Sequence, residues 1–99
     1  MSRDDFETYI ANLYAPADDV LRHIHASTEQ HQMPNISINP QDGALLNLLV
    51  RSINANTVVE IGTLAGYSGT WIARALPDAG KLYTVEISSK HASVARDNF

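Results

Sequence analysis

A glycine-rich turn between a strand and a helix constrains this chain more than any other feature. Residues 58–69 read Val-Val-Glu-Ile-Gly-Thr-Leu-Ala-Gly-Tyr-Ser-Gly. A strand–turn–helix unit of this kind brings bare backbone and a helix start close to a small ligand. A second strand is predicted at 81–87, and Glu86 near its C-terminal end is placed to bind the two hydroxyls of an adenosine ribose. Together the two segments predict a nucleoside cofactor.

The spacing of the glycines discriminates between nucleoside cofactors. In the dinucleotide fingerprint G-x-G-x-x-G, Leu64 would stand at the second glycine and Tyr67 at the third, where their side chains would crowd a diphosphate. S-adenosylmethionine has no phosphate, and its ammonium and sulfonium would be attracted by Glu60. A helix starting near Gly66 can offer N–H groups to the methionine carboxylate, and Ser68 adds a hydroxyl in its first turn.

These motifs carry a resemblance to a known family. Residues 33–99 resemble the N-terminal half of the cation-dependent O-methyltransferases, which include the catechol and caffeoyl-CoA enzymes, and residues 1–32 match more weakly as a helical lead-in. The matching pieces are Met33-Pro34, Pro40-Gln41-Asp42-Gly43, Val59-Glu60-Ile61-Gly62-Thr63, Gly66-Tyr67-Ser68, Ala73-Arg74-Ala75-Leu76-Pro77, Gly80-Lys81, Val85-Glu86-Ile87 and Ala95-Arg96-Asp97-Asn98-Phe99. The run from Glu60 to Ser68 is fairly specific to this family among methyltransferases.

The resemblance implies an α/β fold, a truncated Rossmann-like class I methyltransferase fold with N-terminal helices and two parallel strands joined by a crossover helix. Residues 1–99 would be one portion of a methyltransferase domain, with a helical lead-in at 1–39 and a cofactor-binding βαβ half at 40–99. The cofactor would be S-adenosylmethionine, bound weakly. The cofactor-binding residues implied are Ile38, Glu60, Gly62, Thr63, Gly66, Tyr67, Ser68 and Glu86, with Ile38 and Thr63 assigned from the resemblance alone.

The family's divalent cation, catalytic base and most of its acceptor pocket belong to the C-terminal half. The resemblance therefore implies no catalytic and no metal-binding residue in this chain. We expect an S-adenosylmethionine-binding fragment of an enzyme that moves a methyl group to a hydroxyl acceptor, and we expect the fragment alone to be inactive. The four histidines form no H-x₃-H pair and are interpreted as solvated surface residues: His23, His25, His31 and His91.

Several of the site residues also have a purely structural interpretation. A carboxylate at Glu60 in an apolar strand is costly unless it is paired, and an ion pair with Arg74 or Lys81 would account for it. Tyr67 could serve packing alone, and Ser68 could merely cap a helix.

The periodicity of apolar residues and the turn signals predict the other elements. Helices are expected at 4–14, 18–31, 40–53 and 66–76, strands at 57–61 and 81–87, and a last helix after a Ser88 cap. Two parallel strands leave both sheet edges open, which predicts a homo-oligomer formed through those edges or by helix exchange. The competing interpretation is a self-associating structural module without a cofactor. Half of a nicotinamide-dependent dehydrogenase is disfavoured by Leu64 and Tyr67.

Charge and composition exclude several classes of partner. The 99 residues include 7 Lys and Arg against 11 Asp and Glu, and the net charge of −4 argues against a nucleic-acid-binding surface. The chain has no cysteine, which excludes disulfides and thiolate metal sites and is typical of a cytoplasmic protein. Because no apolar run approaches the ~18 residues of a membrane span, no membrane partner is expected.

Overall fold

The computed structural model of the chain describes residues 1–99 and contains five helices and two strands. The elements are α1 (Arg3–Tyr14), α2 (Asp19–Gln30), α3 (Pro40–Ser52), β1 (Thr57–Ile61), α4 (Tyr67–Ala73), β2 (Lys81–Val85) and α5 (Ser89–Asn98). The strands pair in parallel, with Thr57 opposite Lys81 and Ile61 opposite Val85. Helix α4 makes the crossover between them, so the predicted α/β fold is confirmed.

Side-chain caps fix where four of the helices begin. Each of these cap residues accepts the backbone N–H three residues further on, which satisfies one of the free donors of the first turn. The caps are Ser2 for α1, Asp18 for α2, Asn39 for α3 and Ser88 for α5. Helix α4 differs, because its cap residue is Gly66 and no side chain caps it.

Two elements end two or more residues earlier than the sequence predicts. Helix α4 stops at Ala73 because the following N–H groups bond to carbonyls three residues back instead of four. Ala75 donates to the carbonyl of Ile72, and Leu76 donates to that of Ala73. Strand β2 stops at Val85, two residues before the predicted end. Its partner strand leaves the sheet at Gly62, so the residues after Val85 have no strand beside them.

The core joins the helical lead-in to the glycine turn. It contains Leu21, Ile24, Met33, Ala65, Tyr67 and Val94. Three of these six residues precede α3, so the lead-in is part of the same core as the βαβ half. An ion pair of 2.8 Å between Arg74 and Asp18 also ties the end of α4 to the start of α2.

One face of the sheet is left uncovered. Residues at odd positions of both strands are exposed, whereas the even positions, which include Glu60 and Thr84, are half-buried. The exposed apolar members of this sheet face are Val59, Ile61, Tyr83 and Val85, followed by Ile87 beyond the strand. No helix in the structure has the length and apolar character needed to cross a membrane.

Candidate functional site

The turn after β1 is built from three left-handed residues. Gly62 has φ 93°, Leu64 has φ 51° and Gly66 has φ 97°. The N–H of Gly62 donates to the carbonyl of Val85 at 2.7 Å, which extends the strand pairing by one bond. A left-handed leucine is strained, so contacts elsewhere must hold this conformation.

Glu86 supplies those contacts. Its Oε1 accepts the N–H groups of Thr63 at 3.2 Å and Leu64 at 2.9 Å, and its Oε2 accepts the N–H of Ser88 at 3.0 Å. The carboxylate therefore joins the end of β2 to the strained turn. The N–H donors of Ser88 and Leu64, in that order, hold the pKa of Glu86 below its usual value. About four hydrogen bonds can reach a carboxylate, which leaves one position on Oε2 open.

Glu60 is held by hydroxyl groups and not by a cation. Its Oε2 accepts from the hydroxyl of Ser68 at 2.5 Å, and its Oε1 accepts from that of Thr84 at 2.7 Å. The ion pair with Arg74 or Lys81, which is the structural alternative for Glu60, does not form, and Arg74 pairs with Asp18 instead. Neutral donors leave the charge of Glu60 uncompensated, so it can attract a cationic ligand.

The two carboxylates line one cavity of about 460 Å³. This volume lies in the range of small-ligand sites. Of the predicted residues, the cavity is lined by Ile38, Glu60, Gly62, Thr63, Tyr67, Ser68 and Glu86. Gly66 does not line it. The Cβ of any larger residue at Gly66 would lie 3.0 Å from the ring of Phe99, so this glycine allows the end of α5 to approach the turn.

Tyr67 contributes both to packing and to the cavity wall. It is only 3% exposed and belongs to the core, and its ring centroid lies 4.4 Å from that of His25 on α2. Burial raises the pKa of Tyr67, so its hydroxyl stays protonated at neutral pH. The packing interpretation is therefore correct as far as it goes, and the residue also borders the cavity.

His91 lies at the site, contrary to the prediction of a solvated surface histidine. It lines the cavity, and its Nδ1 lies 3.9 Å from Oε2 of Glu86. A signal was available, because the Ser88 cap makes His91 the third residue of α5, and its N–H donates to the Ser88 hydroxyl. The first turn of a capped helix lies beside the strand end that precedes it. The remaining residues that line the cavity are not among the predicted cofactor-binding residues, and they are Ile36, Ser37, Leu46, Ile61 and Leu64.

The charge of the cavity limits what it can bind. Two carboxylates and one histidine line it, and neither lysine nor arginine does. Such a surface favours a cation that also carries hydroxyl groups and repels a phosphate. No three His, Asp or Glu side chains lie together in a way that could hold a metal ion.

Comparison with known proteins agrees with the fold and the motifs. The model of a protein family described as O-methyltransferase matches residues 11–99. A catechol O-methyltransferase of Niastella koreensis is 44% identical over 99% of this chain and 46% of its own length. A catechol O-methyltransferase of Mycobacterium tuberculosis is 36% identical over 95% of this chain and 43% of its own. The chain thus spans about half the length of the curated relatives that it matches.

Solved structures of O-methyltransferases also match nearly the whole of this chain and about half of their own length. The O-methyltransferase TomG from Streptomyces achromogenes, in complex with SAM, superposes with a TM-score of 0.90 at 32% identity, over 99% of this chain and 45% of that one. The O-methyltransferase from Bacillus cereus, in complex with SAH, superposes with a TM-score of 0.91 at 36% identity, over 95% of this chain and 43% of that one.

Proposed function

Because the chain belongs to the O-methyltransferase family, we propose that its cavity of about 460 Å³ binds S-adenosylmethionine. The observation that carries this proposal is the placement of Glu60 and Glu86. Glu60 lies one residue before the end of β1, Glu86 directly follows the neighbouring parallel strand β2, and both carboxylates line one cavity with the glycine turn. The complexes of two relatives with SAM and SAH support the choice of ligand.

Glu86 is the proposed ribose contact. Three backbone N–H groups fix its carboxylate and leave one acceptor position on Oε2, which lies 3.9 Å from Nδ1 of His91, and both residues line the cavity. A ribose hydroxyl would donate to that position. Charge-assisted bonds of this type contribute about 1.5–3 kcal/mol each.

Glu60 is the proposed contact for the ammonium group. Its two hydroxyl donors leave further lone pairs free and do not cancel its charge. The cofactor carries a sulfonium, an ammonium and a carboxylate, so its net positive charge suits a cavity with two carboxylates. A nicotinamide dinucleotide would bring its diphosphate against the same charges, which favours S-adenosylmethionine over the dehydrogenase alternative.

Methyl transfer to a hydroxyl acceptor is our proposal for the whole enzyme, because this chain spans about half of its relatives' length. When bound, the cofactor supplies an electrophilic methyl group. The residues described here bind and orient it, and positioning of this kind supplies much of the rate in such a transfer. The resemblance implies that the whole enzyme requires a divalent cation, and we assign none of the residues described here as its ligand.

Isothermal calorimetry tests the binding proposal. We expect the 99-residue chain to bind S-adenosylhomocysteine with micromolar to millimolar affinity and to show no heat with NAD. A melting temperature that rises with S-adenosylhomocysteine and stays constant with NAD would agree. Equal binding of both ligands, or of neither, would contradict the proposal.

Self-association is a second candidate property, and the uncovered sheet face favours it. Ile61 is 80% exposed and Ile87 fully so, beside Val59, Tyr83 and Val85. We propose that a second copy covers this face, since two such patches would bury on the order of 1,000 Å², about the smallest area that a specific interface buries. Light scattering coupled to size exclusion would show a dimer or larger species. A monomer at all concentrations would refute it.

A further inference from the structure

The hydroxyl groups around Glu60 form a directed chain. Thr84 Oγ1 lies 2.7 Å from Glu60 Oε1 and 2.6 Å from Thr63 Oγ1. A carboxylate can only accept, so the single proton of the Thr84 hydroxyl points to Glu60. The Thr63 hydroxyl must then donate to Thr84. The order of donation is therefore Thr63 to Thr84 to Glu60.

The position of Thr84 in the sheet makes this chain possible. Thr84 is the strand partner of Glu60 in the parallel register, so the two side chains leave the same face of the sheet a strand spacing apart. A valine would have the same shape and would suit a half-buried strand equally well. The hydroxyl therefore adds no packing, and its visible uses are to hold Oε1 of Glu60 and to accept the proton of the Thr63 hydroxyl.

Thr63 anchors the far end of the chain. It is 4% exposed, and its own N–H and that of Leu64 both donate to Oε1 of Glu86. Thr63 thus connects the two carboxylates. Its hydroxyl leads to Glu60 by way of the Thr84 hydroxyl, and its backbone N–H binds Glu86. Ser68 holds the second oxygen of Glu60 from α4.

We propose that Thr84, with Thr63 behind it, is a positioning residue that aims Glu60 at the ammonium group of the cofactor. This inference rests on the proposed function, and it assigns to the two threonines a role that acts only through Glu60. Without the Thr84 hydroxyl, Oε1 is free to turn away, and the carboxylate must be ordered again when the ligand binds.

Two ligands separate positioning from a general structural effect. S-adenosylhomocysteine carries the ammonium group, whereas 5′-methylthioadenosine has the same adenosine and thioether without the amino acid part. For Thr84→Val we expect the Kd of S-adenosylhomocysteine to rise by up to about tenfold, because the freed carboxylate must be ordered again when the ligand binds. The Kd of 5′-methylthioadenosine should stay within about twofold of wild type, and Thr84→Ser should restore both values.

Each other outcome has a defined meaning. If the wild-type chain binds neither ligand, the proposed function fails and this inference with it. If wild type binds and Thr84→Val binds S-adenosylhomocysteine equally well, only the positioning role is overturned. An equal loss of both ligands in Thr84→Val also overturns it, because the hydroxyl then serves the turn as a whole.

Thr63→Val is the second variant, in case Thr84→Val does not fold. It removes the donor behind Thr84 but leaves the bond to Glu60, so a selective loss of about two- to threefold for S-adenosylhomocysteine is expected. If both valine variants unfold while Thr84→Ser folds, the threonines serve folding and the inference is wrong.

Discussion

Replacement of Glu86 tests whether one side chain both holds the turn and binds the ligand. In Glu86→Ala, the N–H groups of Thr63, Leu64 and Ser88 lose their acceptor. In Glu86→Gln, the amide oxygen can still accept from Thr63 and Leu64, but the NH₂ group meets the Ser88 N–H, and both are donors. The two variants therefore remove different parts of the same contact set.

The structure sets the size of the effect. Three bonds to a charged acceptor at about 1.5–3 kcal/mol each would give an upper limit near 5–9 kcal/mol. The Glu86 side chain is 11% exposed, and water can replace the missing carboxylate once it is truncated. We therefore expect a loss of about 2–3 kcal/mol of unfolding free energy for Glu86→Ala and about 1–2 kcal/mol for Glu86→Gln.

Urea denaturation measures this loss. Trp71 is the only tryptophan of the chain and packs against α3, so its fluorescence reports the unfolding of the domain. With slopes of about 1–3 kcal/mol per molar, the midpoint of Glu86→Ala should fall by roughly 1–2 M at a fixed protomer concentration. Glu29→Ala is a matched control, because Glu29 is exposed on α2 and should change stability by less than about 0.5 kcal/mol.

Ligand binding separates the two roles of Glu86. Glu86→Gln should keep most of the stability but weaken S-adenosylhomocysteine about 10- to 100-fold, since the charged ribose acceptor is gone. If Glu86→Ala unfolds at the wild-type urea concentration, the carboxylate does not hold the turn. If Glu86→Gln binds as well as wild type, the ribose assignment is wrong.

Three further predictions follow from the same geometry. The pKa of Glu86 is lower in the folded chain, and the unfolded chain therefore binds more protons on acidification. The contribution of Glu86 to the free energy of unfolding is present above the ordinary glutamate pKa of 4.5 and is lost as the pH falls through its lower folded value. Glutamine does not titrate, so acid titration followed by circular dichroism should show a smaller loss of stability for Glu86→Gln than for wild type. Gly62→Ala should lose about 1–2 kcal/mol in urea denaturation. The φ of Gly62 is 93°, and a Cβ at this position would meet no atom within 4 Å, so backbone strain alone opposes the alanine. Wild-type stability of Gly62→Ala would disprove this prediction. Ile61→Lys should shift the light-scattering mass towards the monomer, whereas Ile53→Lys at the end of α3 should not, and an equal effect of both would argue against the sheet face.

Features that depend on near neighbours were predictable from the sequence. The caps Asn39 and Ser88 accept N–H groups three residues away, so each helix start is encoded locally. The same holds for Gly62 and Gly66, whose positive φ only glycine adopts without strain. The fold and the family follow from these local signals and from the alternation of strands and helices. The eight cofactor-binding residues as a set remain a prediction.

Contacts between distant segments were decided by the tertiary structure alone. Glu60 has Thr84 as its partner because the parallel register places the two side by side, 24 residues apart in the chain. Glu86 binds the turn 22 and 23 residues before it, and only its third partner, the N–H of Ser88, is close in sequence, two residues after it. The sequence places a carboxylate at each of two strand ends. The donors that bind each carboxylate depend on the strand register and on which distant segment the fold brings beside it, because a side chain bonds to whatever lies within about 3 Å.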